Sequence, residues 1–109
     1  MTMMKGDAVN VKFDPGQIVI TPTAMNALAD AGQTPGEFLR RHVCGDWGQL
    51  DRSDVKANES ALKTGLRLLS SYPLKSGEVL WIITEAVDTE FGGKPTHREL
   101  TTLLLPADY

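Results

Sequence analysis

The sequence is short of the residues that anchor chemistry to a chain. It has one cysteine and two histidines among 109 residues. No internal disulfide can form, which fits a reducing compartment. There is no paired cysteine and no His-x-x-x-His spacing, so the usual patterns of a structural metal site are missing and no metal is expected. No apolar run approaches the ~20 residues of a membrane span, and the first dozen residues lack the basic start and apolar stretch of a secretory signal. The net charge is −3, which argues against a nucleic-acid surface without excluding one, because such surfaces concentrate Lys and Arg to displace phosphate counterions. Gly92-Gly93-Lys94-Pro95 is the nearest thing to a phosphate loop. It lacks a following Ser or Thr, and Pro95 breaks any helix start. Repeats and low-complexity segments are absent too. The expectation is a cytoplasmic protein that uses no cofactor and does not engage a membrane, with a protein or a small molecule as partner.

What is present suffices for one core. The chain length is that of a single domain, 1–109, which buries roughly 65% of its unfolded surface on folding. The apolar fraction of 41% and charged fraction of 23% are those of an ordinary globular domain. Residues 1–12 show no period and are expected to fray.

Asp14-Pro15-Gly16 is a turn signature, and the β-branched run Gln17 to Thr21 reads as a short strand. Thr21-Pro22 then starts a helix with Met25, Leu28 and Ala29 on one face and Gly32 as its stop. Thr34-Pro35-Gly36-Glu37 has capping-box spacing. The helix it opens carries Phe38, Leu39, His42 and Val43 on one side and Arg40-Arg41 toward water, and Gly45 ends it. Asp51 or Ser53 caps a third helix running to about Thr64, with Val55, Leu62 and Leu66 as its stripe and Gly65 as its stop. Asn58 falls on that stripe and is expected to find a specific hydrogen-bond partner, since an unpaired buried amide costs about 1–3 kcal/mol.

After the third helix the period changes. Leu66 to Leu74 and Val79 to Ala86 form a hairpin through Lys75-Ser76-Gly77, and Leu100 to Leu105 adds a third strand. Trp81-Ile82-Ile83 is apolar throughout, which places that strand centrally with both faces covered. Val87 to Glu99 has few apolar anchors and reads as a mobile loop. The expected fold is α+β in two layers, with an antiparallel three-stranded meander packed on a helical layer (β-α-α-α-β-β-β). The first strand is free to add to an edge.

Chemistry-bearing residues concentrate in Leu39 to Leu50, where His42, Cys44, Asp46 and Trp47 lie within twelve positions. Gly45 and Gly48 bracket Asp46-Trp47 and imply a sharp turn. His42 with Asp46 can be read as a general base with an orienting carboxylate, or as a helix-closing histidine beside an Asx turn. Cys44 is two positions from His42, which puts the two side chains ~200° apart on a helix and favours a small apolar filler over a nucleophile. A metal set of His42, Cys44, Asp46 and His97 is rejected. Glu85, at the end of an apolar strand, is the best lone carboxylate, and Arg98 is placed to neutralise it. If the protein is an enzyme, the candidates are His42, Asp46, Glu85 and Arg98. If it binds a ligand or partner, they are Asp46, Trp47, Asn58, Tyr72 and Glu85.

Several strings together carry a resemblance: Phe13 with Pro15 to Val19, Arg41-His42-Val43-Cys44-Gly45-Asp46-Trp47-Gly48, Asp54, Asn58, Gly65-Leu66-Arg67, Ser71-Tyr72, Trp81 to Ala86, Thr101 to Pro106 and Tyr109. The chain is similar to a family of small bacterial proteins on plasmids and other mobile elements, some of which bear a type I restriction-modification subunit label. The resemblance implies a bacterial, mobile-element setting and no particular activity. No glycine-rich cofactor turn and no Asn/Asp-Pro-Pro-aromatic motif is present, so methyltransferase chemistry is not expected. Two readings stay open. The first is an accessory or interaction domain working through the Gly45–Gly48 turn near Glu85. The second is a small hydrolase or ribonuclease with His42 as base, Asp46 or Glu85 as acid and orienter, and Arg98 on a phosphate.

Overall fold

A computed structural model describes residues 11–109. Most of the stretch expected to fray lies outside them. Lys12, the last residue of that stretch, is tied by its N–H to the Val43 carbonyl at 2.7 Å.

The strands are β1 (Gln17–Ile20), β2 (Leu68–Pro73), β3 (Val79–Thr84) and β4 (Leu100–Leu104). The helices are α1 (Pro22–Ala31), α2 (Pro35–Val43) and α3 (Arg52–Thr64), with single 3₁₀ turns at Thr89–Phe91 and Pro106–Asp108. This is an α+β fold. β2, β3 and β4 pair antiparallel in sequence, through registers such as Tyr72 with Leu80 and Ile83 with Thr102. The three-stranded sheet expected from the sequence is incomplete, however. β1 pairs in parallel with β4, giving a four-stranded mixed sheet of order β1-β4-β3-β2. The parallel step arises because three helices intervene between β1 and the rest, so the chain re-enters the sheet from the far end.

α1 begins as the sequence implies, with the Thr21 hydroxyl accepting the Ala24 N–H, and stops at left-handed Gly32. Its buried face is Ala24, Ala27 and Leu28, while Met25 lies exposed. Of the expected face, Leu28 is buried, while Met25 and Ala29 are exposed and Ala24 and Ala27 take their place, letting the helix approach the sheet closely. At α2 the capping box does not form. Thr34 makes no side-chain cap, and the Glu37 carboxylate instead accepts from Gln33 Nε2 at 3.1 Å. α3 is capped by Asp51, whose carboxylate accepts the Asp54 N–H at 2.8 Å. Its buried residues are Asn58 and Ala61, and Leu66, expected on the stripe, is 64% exposed beyond the helix end.

The core has two parts. One gathers Leu28 and Phe38 over Tyr72, Leu80, Ile82 and Leu103. The other gathers Phe13, Trp47, Ala61 and Leu68 under α3. The opposite face of β3 is covered in part by the C-terminal turn, where the Tyr109 ring meets Trp81 edge-on at 5.9 Å. The segment 87–99 is anchored rather than free. Its few apolar residues misled, because the ties are polar: Val87 N–H to the Gly65 carbonyl, Asp14 N–H to the Thr96 carbonyl and Arg98 N–H to the Asp14 carbonyl.

Candidate functional site

α2 delivers His42 into the interior on the same face as Phe38, and the ring is fully buried. It stands edge-on to Phe13 at 5.4 Å and to Trp47 at 5.7 Å. Nδ1 lies 2.6 Å from Ser70 Oγ and Nε2 lies 2.8 Å from Thr84 Oγ1. Thr84 Oγ1 is in turn 2.7 Å from Thr101 Oγ1, whose hydroxyl donates to the Pro15 carbonyl. Counting donors assigns the protons along this chain. Thr101 gives its only proton to Pro15, so Thr84 donates to Thr101 and must accept from Nε2–H. Because burial keeps the ring neutral, Nδ1 then accepts from Ser70, and His42 is the Nε2–H tautomer. Burial, and then the charge of Arg98, lower its pKa to about 3.

Asp46 does not face His42. It pairs with Arg41, Oδ2 lying 2.7 Å from Nε, and that bond holds its carboxyl below the ordinary range while raising Arg41. The helix turn places residue 41, not 42, over the chain reversal. The Asp46 carboxylate also accepts the Gly48 N–H, the Asx turn weighed above. Its backbone carbonyl accepts the Tyr72 hydroxyl at 2.6 Å. Tyr72 is buried, with the Arg41 guanidinium 4.5 Å over its ring, and burial raises its pKa.

Gly45 and Gly48 both take positive φ, 84° and 76°, and the turn between them lies against β2. The Ser71 N–H donates to the Trp47 carbonyl, and the Gln49 N–H donates to the Ser71 carbonyl. A Cβ on Gly48 would strike the Ser71 backbone. Trp47 is buried with its indole N–H on Glu59 at 2.9 Å. Asn58 finds its specific partner in Leu69: the side-chain amide donates to the Leu69 carbonyl at 2.7 Å and accepts its N–H at 3.1 Å. With Pro73 last in the strand, the outer edge of β2 is closed residue by residue.

Arg98 does not reach the Glu85 carboxylate. Its buried guanidinium donates to four backbone carbonyls, those of Ala61, Leu66, Glu85 and Pro95. Glu85 is exposed at the end of β3, and its backbone supplies its contacts. Cys44 is a half-buried free thiol and His97 is exposed. The enzyme candidates are therefore not brought together: His42 and Arg98 are interior, Asp46 is turned toward Arg41, and Glu85 lies apart at the surface. Trp47, Asn58 and Tyr72 hold the β2 edge and leave no contact surface of their own.

A different place is open. A groove of about 550 Å³ runs between β1 and α2, lined by Phe13, Ile18, Leu39 and Val43, with Arg40 and Asp14 as its charged residues. That volume is within the range of ligand pockets. Ile18 and Val11, both lining it, are exposed. Sequence reasoning missed it, although a signal existed. Gly36, Leu39, Arg40 and Val43 recur at i, i+3, i+4 and i+7 beside a strand, Gln17-Ile18-Val19-Ile20, with no charge to protect it. Compared with protein-family models, curated proteins and solved structures, the chain matches none.

Proposed function

We propose that this chain is a non-enzymatic interaction domain that docks a partner in the groove between β1 and α2. The observation that carries the reading is the asymmetry of the sheet. The β2 edge is closed by Asn58 and the Trp47–Gln49 backbone, whereas β1 is exposed from Gln17 to Val19, with Ile18 lining an apolar groove. Exposed apolar surface on an unprotected edge is what a docking site needs and what an unpartnered protein avoids. The working surface is thus moved from the Gly45–Gly48 turn, which is occupied in closing the other edge. A general base needs an accessible ring nitrogen with a pKa near neutrality, and His42 offers neither. The cytoplasmic, mobile-element setting belongs to the same proposal and rests on the lone Cys44 and on the resemblance.

The test is an amide-resolved NMR titration with a set of small apolar and amphiphilic fragments. Shifts clustered at Phe13, Ile18, Leu39 and Val43 are expected. Shifts centred on Asp46 and Glu85, or none at the groove, would return the working surface to the turn and sink this reading.

A further inference from the structure

We infer that the partner enters the β1–α2 groove as an extended, acidic polypeptide segment that adds to the sheet as a fifth strand beside β1. The inference rests on the docking reading above and names its occupant.

The backbone supplies the first argument. The Gln17 N–H donates to the Glu99 carbonyl and the Thr21 N–H to the Leu103 carbonyl. In a parallel ladder the residues that bond the neighbour recur every second position. Gln17, Val19 and Thr21 therefore face β4, and Ile18 and Ile20 present their N–H groups, and Ile18 its carbonyl, to the open side. None of these groups has a protein partner among the described residues. Donors and acceptors spaced two residues apart along an edge match the backbone of another extended chain. The molecule already uses this solution on β2, where the Trp47–Gln49 backbone pairs with Ser71 and sends an indole into the core beneath.

The side chains supply the second. Ile20 packs on the core and Ile18 lines the groove, so alternate residues of an added strand would point into the same groove, between Ile18 and the α2 residues Leu39 and Val43. Apolar residues at every second position fit it.

Charge and size choose among occupants. Arg40 stands on the groove wall and is exposed, and the one ion pair among the described residues is Arg41 with Asp46. The other charged lining residue, Asp14, already accepts the Gly16 N–H at 2.9 Å. Among the described residues no carboxylate pairs with Arg40, and an acidic residue in the segment answers it. A second copy fits poorly. β1 has four residues between the Pro15-Gly16 turn and the helix at Pro22, a pairing length of roughly 13 Å. A stable dimer needs about 800 Å² from each partner, whereas a single slender strand needs only the edge and the groove.

The experiment selects a displayed library of random nonapeptides on the full chain, then follows the strongest binder by amide hydrogen exchange and by affinity. Enriched sequences should alternate apolar residues around an acid. Saturation should slow exchange at Ile18 and Ile20 by about ten-fold or more. Arg40→Glu should weaken binding about five-fold and Arg40→Gln less, with Asp46→Ala unchanged. Binding that shifts Leu39 and Val43 without slowing Ile18 and Ile20 overturns strand addition and keeps the groove as a site. Protection of Ile18 and Ile20 in the peptide-free protein, with a dimer mass in sedimentation, assigns the edge to a second copy and overturns the inference. Enrichment of basic sequences, or of none, overturns it as well. Shifts remote from the groove sink the docking reading itself.

Discussion

Arg98 shows how a single side chain can act as framework. Its guanidinium is buried without a carboxylate, and four carbonyls from three chain segments take its hydrogens. Two of them, Ala61 in the last turn of α3 and Leu66 just beyond it, lie at the helix C-terminus, where a cation also complements the helix dipole. Burial lowers its pKa, yet an arginine so far above neutrality stays charged. A lysine brings three donors on one nitrogen and cannot span four acceptors. Arg98→Lys should therefore cost about 2 kcal/mol or more, and Arg98→Met more again, read by urea unfolding. Asp46→Ala is the contrast. The Arg41–Asp46 pair is about half exposed, and pairs of that kind contribute between about 0 and 1 kcal/mol. Its loss should fall within that range. A much larger loss would mean that the Asp46–Gly48 bond, rather than the ion pair, holds the turn.

The elements divide by which edge they serve. Gly48 and Gly32 both take left-handed backbone, φ 76° and 69°, but a Cβ at Gly32 meets nothing while one at Gly48 meets the β2 backbone. Gly32→Ala should cost about 1 kcal/mol, the strain of the conformation alone. Gly48→Ala should cost about 3 kcal/mol, because β2 and the turn must also separate. Equal losses would refute the claim that the turn is an edge cap. Asn58→Ala should cost about 2–3 kcal/mol by orphaning the Leu69 N–H and carbonyl. Asn58 was legible in the sequence because an amide on an apolar helical stripe demands a partner, and the glycines around Asp46-Trp47 announced their turn. The strands and helices were legible from their periods and stops. The partner of Asp46, the polar anchoring of 87–99 and the parallel docking of β1 were not. The anchoring of 87–99 and the docking of β1 depend on residues distant in sequence that only the closed sheet brings together, whereas Asp46 turns on the helix phase that aims Arg41 rather than His42 at it.

Across the whole molecule, the line Ser70–His42–Thr84–Thr101–Pro15 joins α2, β2, β3, β4 and the turn before β1 through buried hydrogen bonds. Its Nε2–H, Thr84 and Thr101 bonds hold with neutral His42, and only the Ser70 bond would have to reverse if Nδ1 took a proton. Protonating Nδ1 would bury a charge away from water and beside Arg98, and these two effects, burial first, lower the pKa to about 3. The consequence for stability has a definite sign. Above the unfolded value of about 6.5 His42 is neutral in both states and folding carries no proton linkage. As pH falls below 6.5 the unfolded chain takes up a proton that the native state refuses, so stability drops by up to about 1.4 kcal/mol per pH unit until the folded pKa near 3 is reached. Asp46 and Asp108, whose carboxyls are held below their ordinary range, add to the loss only at lower pH. The window from 6.5 to 5 therefore isolates the imidazole. Urea unfolding across that window should show the slope in the parent protein. His42→Gln, less stable at pH 7 but still carrying an amide donor toward Thr84, should show a nearly flat profile there. A parent profile that is flat from 6.5 to 5 would mean that His42 reaches solvent and protonates in the folded state, and would reopen it as a base. A slope that persists in His42→Gln would assign the linkage elsewhere and remove the evidence that this buried line joins the five segments in its neutral form.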